Sequence, residues 1–272
     1  MLVWALTGQN HYKVVLAKMT RVVVLPDLSV IPERRKSQKR PMTYQVIFCG
    51  VDGVVIASDR LEGVYRPDST IARGNDVKKI RISGDFAWAA SGGEMAKIFS
   101  LHLAKTLPSK NEISDADILE IIENLRKPTL EDWKNTAAQG SDATSRVILV
   151  RGSNQSIFRI NPLLHMDTDV EQTRKGRCIA GQIYNTAAFL FHRLHHTEMT
   201  VTSLATLAAY SIRRANCFDS SCIDGLDIAI YRKEEKKFHF IETDAPWNHA
   251  PKLEDALRAC IAENALPIRY KT

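Results

Sequence analysis

The chain has 272 residues and a mass of 30.6 kDa, with 44% apolar and 25% charged residues. These are globular proportions, so a disordered chain and a collagen-like fibre are excluded. With no run of 18 apolar residues, a membrane-spanning helix is excluded as well.

The formal net charge of +6 and the pI of about 9.0 raise the question of a nucleic-acid partner. The position of the charge answers it. Eight of the 37 basic residues and two of the 31 acidic ones lie in the first 42 residues, which leaves 29 of each in the rest. Residues 32–41 read PERRKSQKRP, a charged run bracketed by prolines that cannot bury apolar surface and reads as a solvated linker. Residues 1–42 are therefore expected to be a basic N-terminal extension, with a short strand or helix over 12–25, and residues 43–272 a neutral folded domain. Neither a nucleic-acid nor a membrane partner is expected. The five cysteines, an odd number with no CxxC pair, argue for the reduced thiols of a cytoplasmic protein rather than a disulfide scaffold or a zinc ribbon.

In chain order, residues 44–50 and 54–58 are predicted strands joined at Asp52-Gly53, a strong hairpin signal. A polar loop is expected over 60–76, then strands at 77–82 and 86–90. Ser91-Gly92-Gly93 introduces a helix to about residue 106, with Met95, Ile98, Phe99 and Leu103 on one face. Ser114 and Asp117 have capping-box spacing ahead of Ile118, Ile121, Ile122 and Leu125, which recur at helical intervals. Strands follow at 146–151, 156–160 and 177–180, the last ended by Gly181. Helices are predicted over 184–195 and 200–216, the second with Leu204, Leu207, Ala208, Ile212 and Ala215 on one side. A hairpin at 226–232 and 237–241 and an amphipathic helix around 253–261 complete the chain.

Strands thus come in hairpins and helices in pairs, unlike the strand–helix alternation of a Rossmann fold or a TIM barrel. The arrangement that buries every apolar face is an α+β fold, a four-layer αββα sandwich of two antiparallel sheets. Other constellations carry less. His192, His195 and His196 have helix-face spacing but no evident third metal ligand, and the tryptophans lack basic interleaving.

The order DGVVIASDR (52–60), KKIRIS (78–83) and AASGG (89–93) before a helix resembles the proteasome β-subunit family of N-terminal nucleophile hydrolases, including its bacterial members. The likeness extends weakly to about residue 245. It implies the αββα fold and a threonine peptidase whose nucleophile is the mature N-terminal residue, here Thr43. Its acidic partner falls on Asp59, sixteen positions later, and its lysine on Lys79. The glycine whose N–H faces the oxyanion falls on Gly92, with Gly93 as the other register. A supporting aspartate falls on Asp219, and the pocket for the side chain before the scissile bond on Glu62, Val77, Ala90 and Glu94. Two acids there imply a preference for basic residues. The resemblance implies no metal or organic cofactor, a peptide or unfolded-protein substrate, a homo-oligomeric ring, and room for a regulatory ATPase.

Two departures stand out. The family's supporting serines are replaced, one by Cys222 and the other by Ala180 or Gln182 in CIAGQIYN (178–185). Met42 precedes Thr43, whereas relatives carry a propeptide ending in glycine. Thr43 needs a free amine, so either residues 1–42 are removed autocatalytically or translation starts at Met42; the adjacency favours the latter. A non-catalytic subunit of a proteasome-like assembly and a small-molecule amidase of the same fold are the alternatives.

Overall fold

A computed structural model of the chain describes residues 2–7, 11–16, 23–24, 43–65, 71–107, 113–136, 145–162, 170–173, 176–181, 194–218 and 223–264. The chain divides into two units, Lys39–Ala250 and a second formed by Met1–Gln38 with Pro251–Thr272. Among the described residues no helix is long and apolar enough to cross a membrane.

Residues before Thr43 hold more regular structure than their charge suggests. Strands β1 (Leu2–Thr7), β2 (His11–Leu16) and β3 (Val23–Val24) form an antiparallel sheet in that order, with Trp4 opposite Val14 and Lys13 opposite Val24. The missed signal is the three-residue Gly-Gln-Asn link between two apolar runs, a hairpin pattern. The charged run 32–41 lies outside the described residues.

Two five-stranded antiparallel sheets make up the larger unit. Its strands are β4 (Tyr44–Cys49), β5 (Gly53–Ser58), β6 (Leu61–Tyr65), β7 (Ile71–Asp76), β8 (Ile80–Ser83), β9 (Phe86–Ser91), β10 (Arg146–Arg151), β11 (Ile157–Ile160), β12 (Val170–Thr173), β13 (Arg177–Gly181), β14 (Asp227–Arg232) and β15 (Lys237–Phe240). One sheet has the order β13-β4-β5-β14-β15 and the other β12-β11-β10-β9-β8. Ile47, Cys49, Val54 and Ile56 of the first pack with Ala87, Ala89, Ile148 and Val150 of the second in one buried cluster. The buried valines and isoleucines among them each contribute about 1.5–3 kcal/mol.

Helices cover the outer faces. Helix α1 (Glu94–Thr106) and helix α2 (Asp115–Lys134) lay Phe99, Leu103, Ile118 and Ile122 over Phe86, Trp88, Val147 and Leu149. Helix α3 (Val201–Phe218) lies against β4, β5 and β14, with all five residues of its predicted face buried. The expected four-layer αββα sandwich is what the chain adopts. A further helix, α4 (Asp244–Asn264), begins before the predicted one and runs through Pro251. Local signals act as read. Ser114 Oγ accepts the Asp117 N–H at 3.2 Å while an Asp117 carboxylate oxygen accepts the Ser114 N–H at 2.7 Å. Asp52 does more than turn the hairpin, because its carboxylate accepts the Val201 N–H at 2.7 Å and so caps α3.

One predicted loop is a strand pair instead, and a further strand, β12, stands where none is predicted. The polar loop of 60–76 contains the hairpin β6–β7, closed at its base by an Arg60–Asp76 ion pair of 2.7 Å. Gly63 and Gly74 interrupt the apolar pattern there, and a register shift between Leu61 and Gly63 breaks the regular alternation. Strand β12 was missed because it is an edge strand, VEQT, with little apolar content. The predicted helix at 184–195 falls almost wholly outside the described residues.

Candidate active site

Thr43 directly precedes β4 and is 8% exposed. The β4–β5 hairpin runs back on itself, so the start of β4 meets the end of β5 and Asp59 arrives beside Thr43. The Tyr44 N–H donates to Asp59 Oδ1 at 2.8 Å, and the Asp59 N–H donates back to Tyr44 O at 3.1 Å. Lys79 comes from the other sheet, one residue before β8. Its Nζ donates to Asp59 Oδ2 at 2.7 Å, to Thr43 Oγ1 at 3.1 Å and to Leu61 O at 2.6 Å. An ammonium has three donors, and here three oxygens accept them. The geometry therefore aims positive charge at the Thr43 hydroxyl and uses the carboxylate as its anchor.

The Asp59 side chain is fully buried. Burial, its largest influence, pushes its pKa up to about 6, although the charge and hydrogen bond of Lys79 and the N–H of Tyr44 pull the other way.

Glycines shape the surroundings. Gly181 ends β13 opposite Tyr44 with φ of +88°, and a Cβ there would lie 1.7 Å from Thr43 O. Its sequence signal was only that of a strand end; its closeness to Thr43 comes from the sheet. Gly92 has φ of +99°, a left-handed conformation that favours glycine. The Gly93 N–H donates to Ser145 Oγ at 3.2 Å. Gln45 Nε2 donates across the sandwich to Ala90 O at 2.7 Å. Gln45 stands two residues after Thr43 and Ala90 two residues before Gly92, so this bond brings the two segments to one end of the sandwich.

Of the expected pocket residues, Glu62 and Glu94 both meet Lys97, Glu62 in direct contact and Glu94 at 3.6 Å. Burial alone would lower the Lys97 pKa, but the hydrogen bond and charge of Glu62, with the charge of Glu94, leave it raised. The two acids thus share one cation, which halves the negative charge they would otherwise present from −2 to −1. Val77 is tied to Arg60 O through its N–H at 2.8 Å. Ala180 is buried in the core as the cross-strand partner of Gln45. Asp219, Gln182 and Cys222 lie outside the described residues. Asp227, which sequence reasoning passed over, is buried opposite Ser58 with Arg60 at 3.9 Å. Burial raises its pKa despite the nearby Arg60. His195 stacks on Phe48 and shares a 2.9 Å hydrogen bond with Cys49 O, a core role; among the described residues no cluster of three metal-ligating side chains occurs.

No family model matches the chain, and no curated protein matches it in sequence. Solved structures do. Anbu from Hyphomicrobium sp. strain MC1 superposes with a TM-score of 0.61 at 15% identity, covering 84% of this chain and all of that one. Anbu from Yersinia bercovieri, described as an ancestral β-subunit, gives 0.61 at 16% identity over the same shares. A helical assembly of the Anbu complex from Pseudomonas aeruginosa gives 0.61 at 13% identity, with 83% of this chain and 98% of that one covered. These matches correct the expected membership of the proteasome β-subunit family. The similar structures are Anbu proteins, and at such identities they establish a shared fold and no more.

Proposed function

We propose that the protein is an N-terminal nucleophile hydrolase that cleaves amide bonds in peptides or unfolded proteins, with Thr43 Oγ1 as the nucleophile. The observation that carries this reading is the Lys79 ammonium held between Thr43 Oγ1 at 3.1 Å and the Asp59 carboxylate at 2.7 Å. A threonine hydroxyl is a weak nucleophile at neutral pH and needs an adjacent base. In the uncleaved chain the Thr43 nitrogen is an amide joined to Met42 and cannot serve. Once that bond is opened, the α-amine titrates near pH 8, and its neutral fraction accepts the hydroxyl proton.

Oγ1 then attacks the scissile carbonyl, and the Gly92 N–H faces the developing oxyanion. The tetrahedral adduct expels the leaving amine, which takes the proton from the α-amine. Water activated by the same amine hydrolyses the resulting ester. Lys79 lowers the energy of the negative charge growing on Oγ1, and Asp59 holds Lys79 in place through their 2.7 Å ion pair. Every proton transfer uses a group of the protein, so the scheme calls for no cofactor. Self-association into a ring or helical assembly is part of this reading, by likeness to the Pseudomonas aeruginosa assembly.

A second reading, a non-catalytic subunit of such an assembly, is favoured by the folded sheet β1–β3 ahead of Thr43. Intact-mass measurement on protein from its native host separates the two: a mature chain beginning at Thr43 supports the hydrolase, and retention of residues 1–42 rejects it. For the hydrolase, Thr43→Ala abolishes turnover of fluorogenic peptides and labelling by threonine-directed electrophiles. Unchanged turnover would remove Thr43 as nucleophile.

A further inference from the structure

Gln45 is a costly residue for its position. It lies on the inner face of β4, fully buried, between its cross-strand neighbours Ala180 and Ser58. The rest of that face, Ile47 and Cys49, packs in the apolar core. Among the described residues its buried Oε1 has no hydrogen-bond partner, a state that costs free energy relative to an apolar side chain of the same shape. Its Nε2 has one partner, Ala90 O at 2.7 Å on the opposing sheet. Because a carbonyl only accepts, this contact also fixes which end of the amide is nitrogen.

The place of that bond gives it a purpose. Strand β9 is paired with β10 through Ser91, opposite Arg146, but its last pair with β8 is Ala89 with Ile80. Ala90 and Ser91 have therefore lost one of their two flanking strands just before the left-handed turn at Gly92. Gln45 supplies the missing hold from the other sheet, on the strand that begins two residues earlier at Thr43. One side chain thus links the nucleophile's strand to the Ala90–Ser91 peptide group, one before the Ser91–Gly92 peptide that carries the oxyanion N–H.

We propose that Gln45 is a positioning residue that sets the Gly92 N–H relative to Thr43 Oγ1, an inference that rests on the hydrolase reading for its catalytic consequence. A displacement of about 1 Å in such a donor is worth on the order of a hundredfold in rate. Gln45→Met keeps the length of the side chain and removes both polar atoms. The test compares this variant with the wild type, both processed to Thr43. The expected result is a thermal midpoint equal to or above that of the wild type, with kcat lowered at least about tenfold and KM unchanged. Affinity for a peptide boronate, whose tetrahedral adduct places an oxygen at the oxyanion position, falls by a similar factor. Affinity for a product peptide does not change.

Unaltered kcat and boronate affinity would overturn the proposal. So would loss of folding, or a lowered midpoint with all affinities reduced together, since these assign Gln45 to the core alone. The Gly92 amide resonance reports without reference to activity: it moves and exchanges faster in Gln45→Met. If the wild type hydrolyses nothing, the hydrolase reading fails by itself, and an unmoved Gly92 amide then decides against Gln45.

Discussion

Lys79 concentrates the contacts of the candidate site in one side chain, because its three N–H groups meet the Thr43 hydroxyl, the Asp59 carboxylate and a backbone carbonyl within 3.1 Å. Its orientation depends on Asp59 being ionised. Burial raises the Asp59 pKa to about 6, so Asp59 is a carboxylate above that pH and a neutral acid below it. Protonation removes the anchor and frees Lys79 to leave Thr43. Activity, which already declines below about pH 8 as the α-amine protonates, is therefore expected to fall more steeply as pH drops through about 6, two units above the limb of an ordinary aspartate. The pH profile of kcat/KM checks this, and a second limb near pH 4, or no second limb, would reject a role for ionised Asp59.

Strand β13 does for Thr43 what no side chain could. It lies beside β4 with Gly181 opposite Tyr44, so close that a Cβ would stand 1.7 Å from Thr43 O. The φ of +88° adds its own penalty for any L side chain. Gly181→Ala should therefore destabilise the fold by about 2 kcal/mol or more and displace Thr43. The paired measurement is a denaturant midpoint with peptide turnover. A variant of native stability and full activity would show that the strands part at no cost. At this scale the sequence was legible wherever periodicity and turn chemistry agreed. The Asp52-Gly53 hairpin, the Ser114–Asp117 cap and the apolar faces of α1 and α3 need only neighbours along the chain. The β6–β7 hairpin and edge strand β12 were not legible, because glycines or polar residues blur their pattern.

Charge is a property of the whole molecule that the mechanism divides. All of the excess of +6 lies in residues 1–42, and residues 43–272 carry 29 basic and 29 acidic side chains. Opening the Met42–Thr43 bond and releasing the N-terminal segment should move the isoelectric point from about 9.0 to near neutrality. Isoelectric focusing of chain cleaved in the native host checks this, and an active species still focusing near 9.0 would contradict release. The basic charge then describes the segment ahead of Thr43 and not residues 43–272.

Residue order alone determined the two-sheet, four-layer arrangement, since each element's apolar face had to be buried and hairpins and helix pairs left one economical way to do it. It also placed Thr43, Asp59 and Lys79 at spacings a family resemblance could recognise. Only the tertiary structure decided that Lys79 bridges the other two, that Lys97 stands between Glu62 and Glu94, that Gly181 backs the Thr43 carbonyl, and that Gln45 reaches Ala90. Apart from the Glu94–Lys97 step along α1, each is a contact between residues 20 to 138 apart along the chain. Local propensity carries no record of such contacts, because they exist only once distant strands have paired within a sheet or the two sheets have closed on each other.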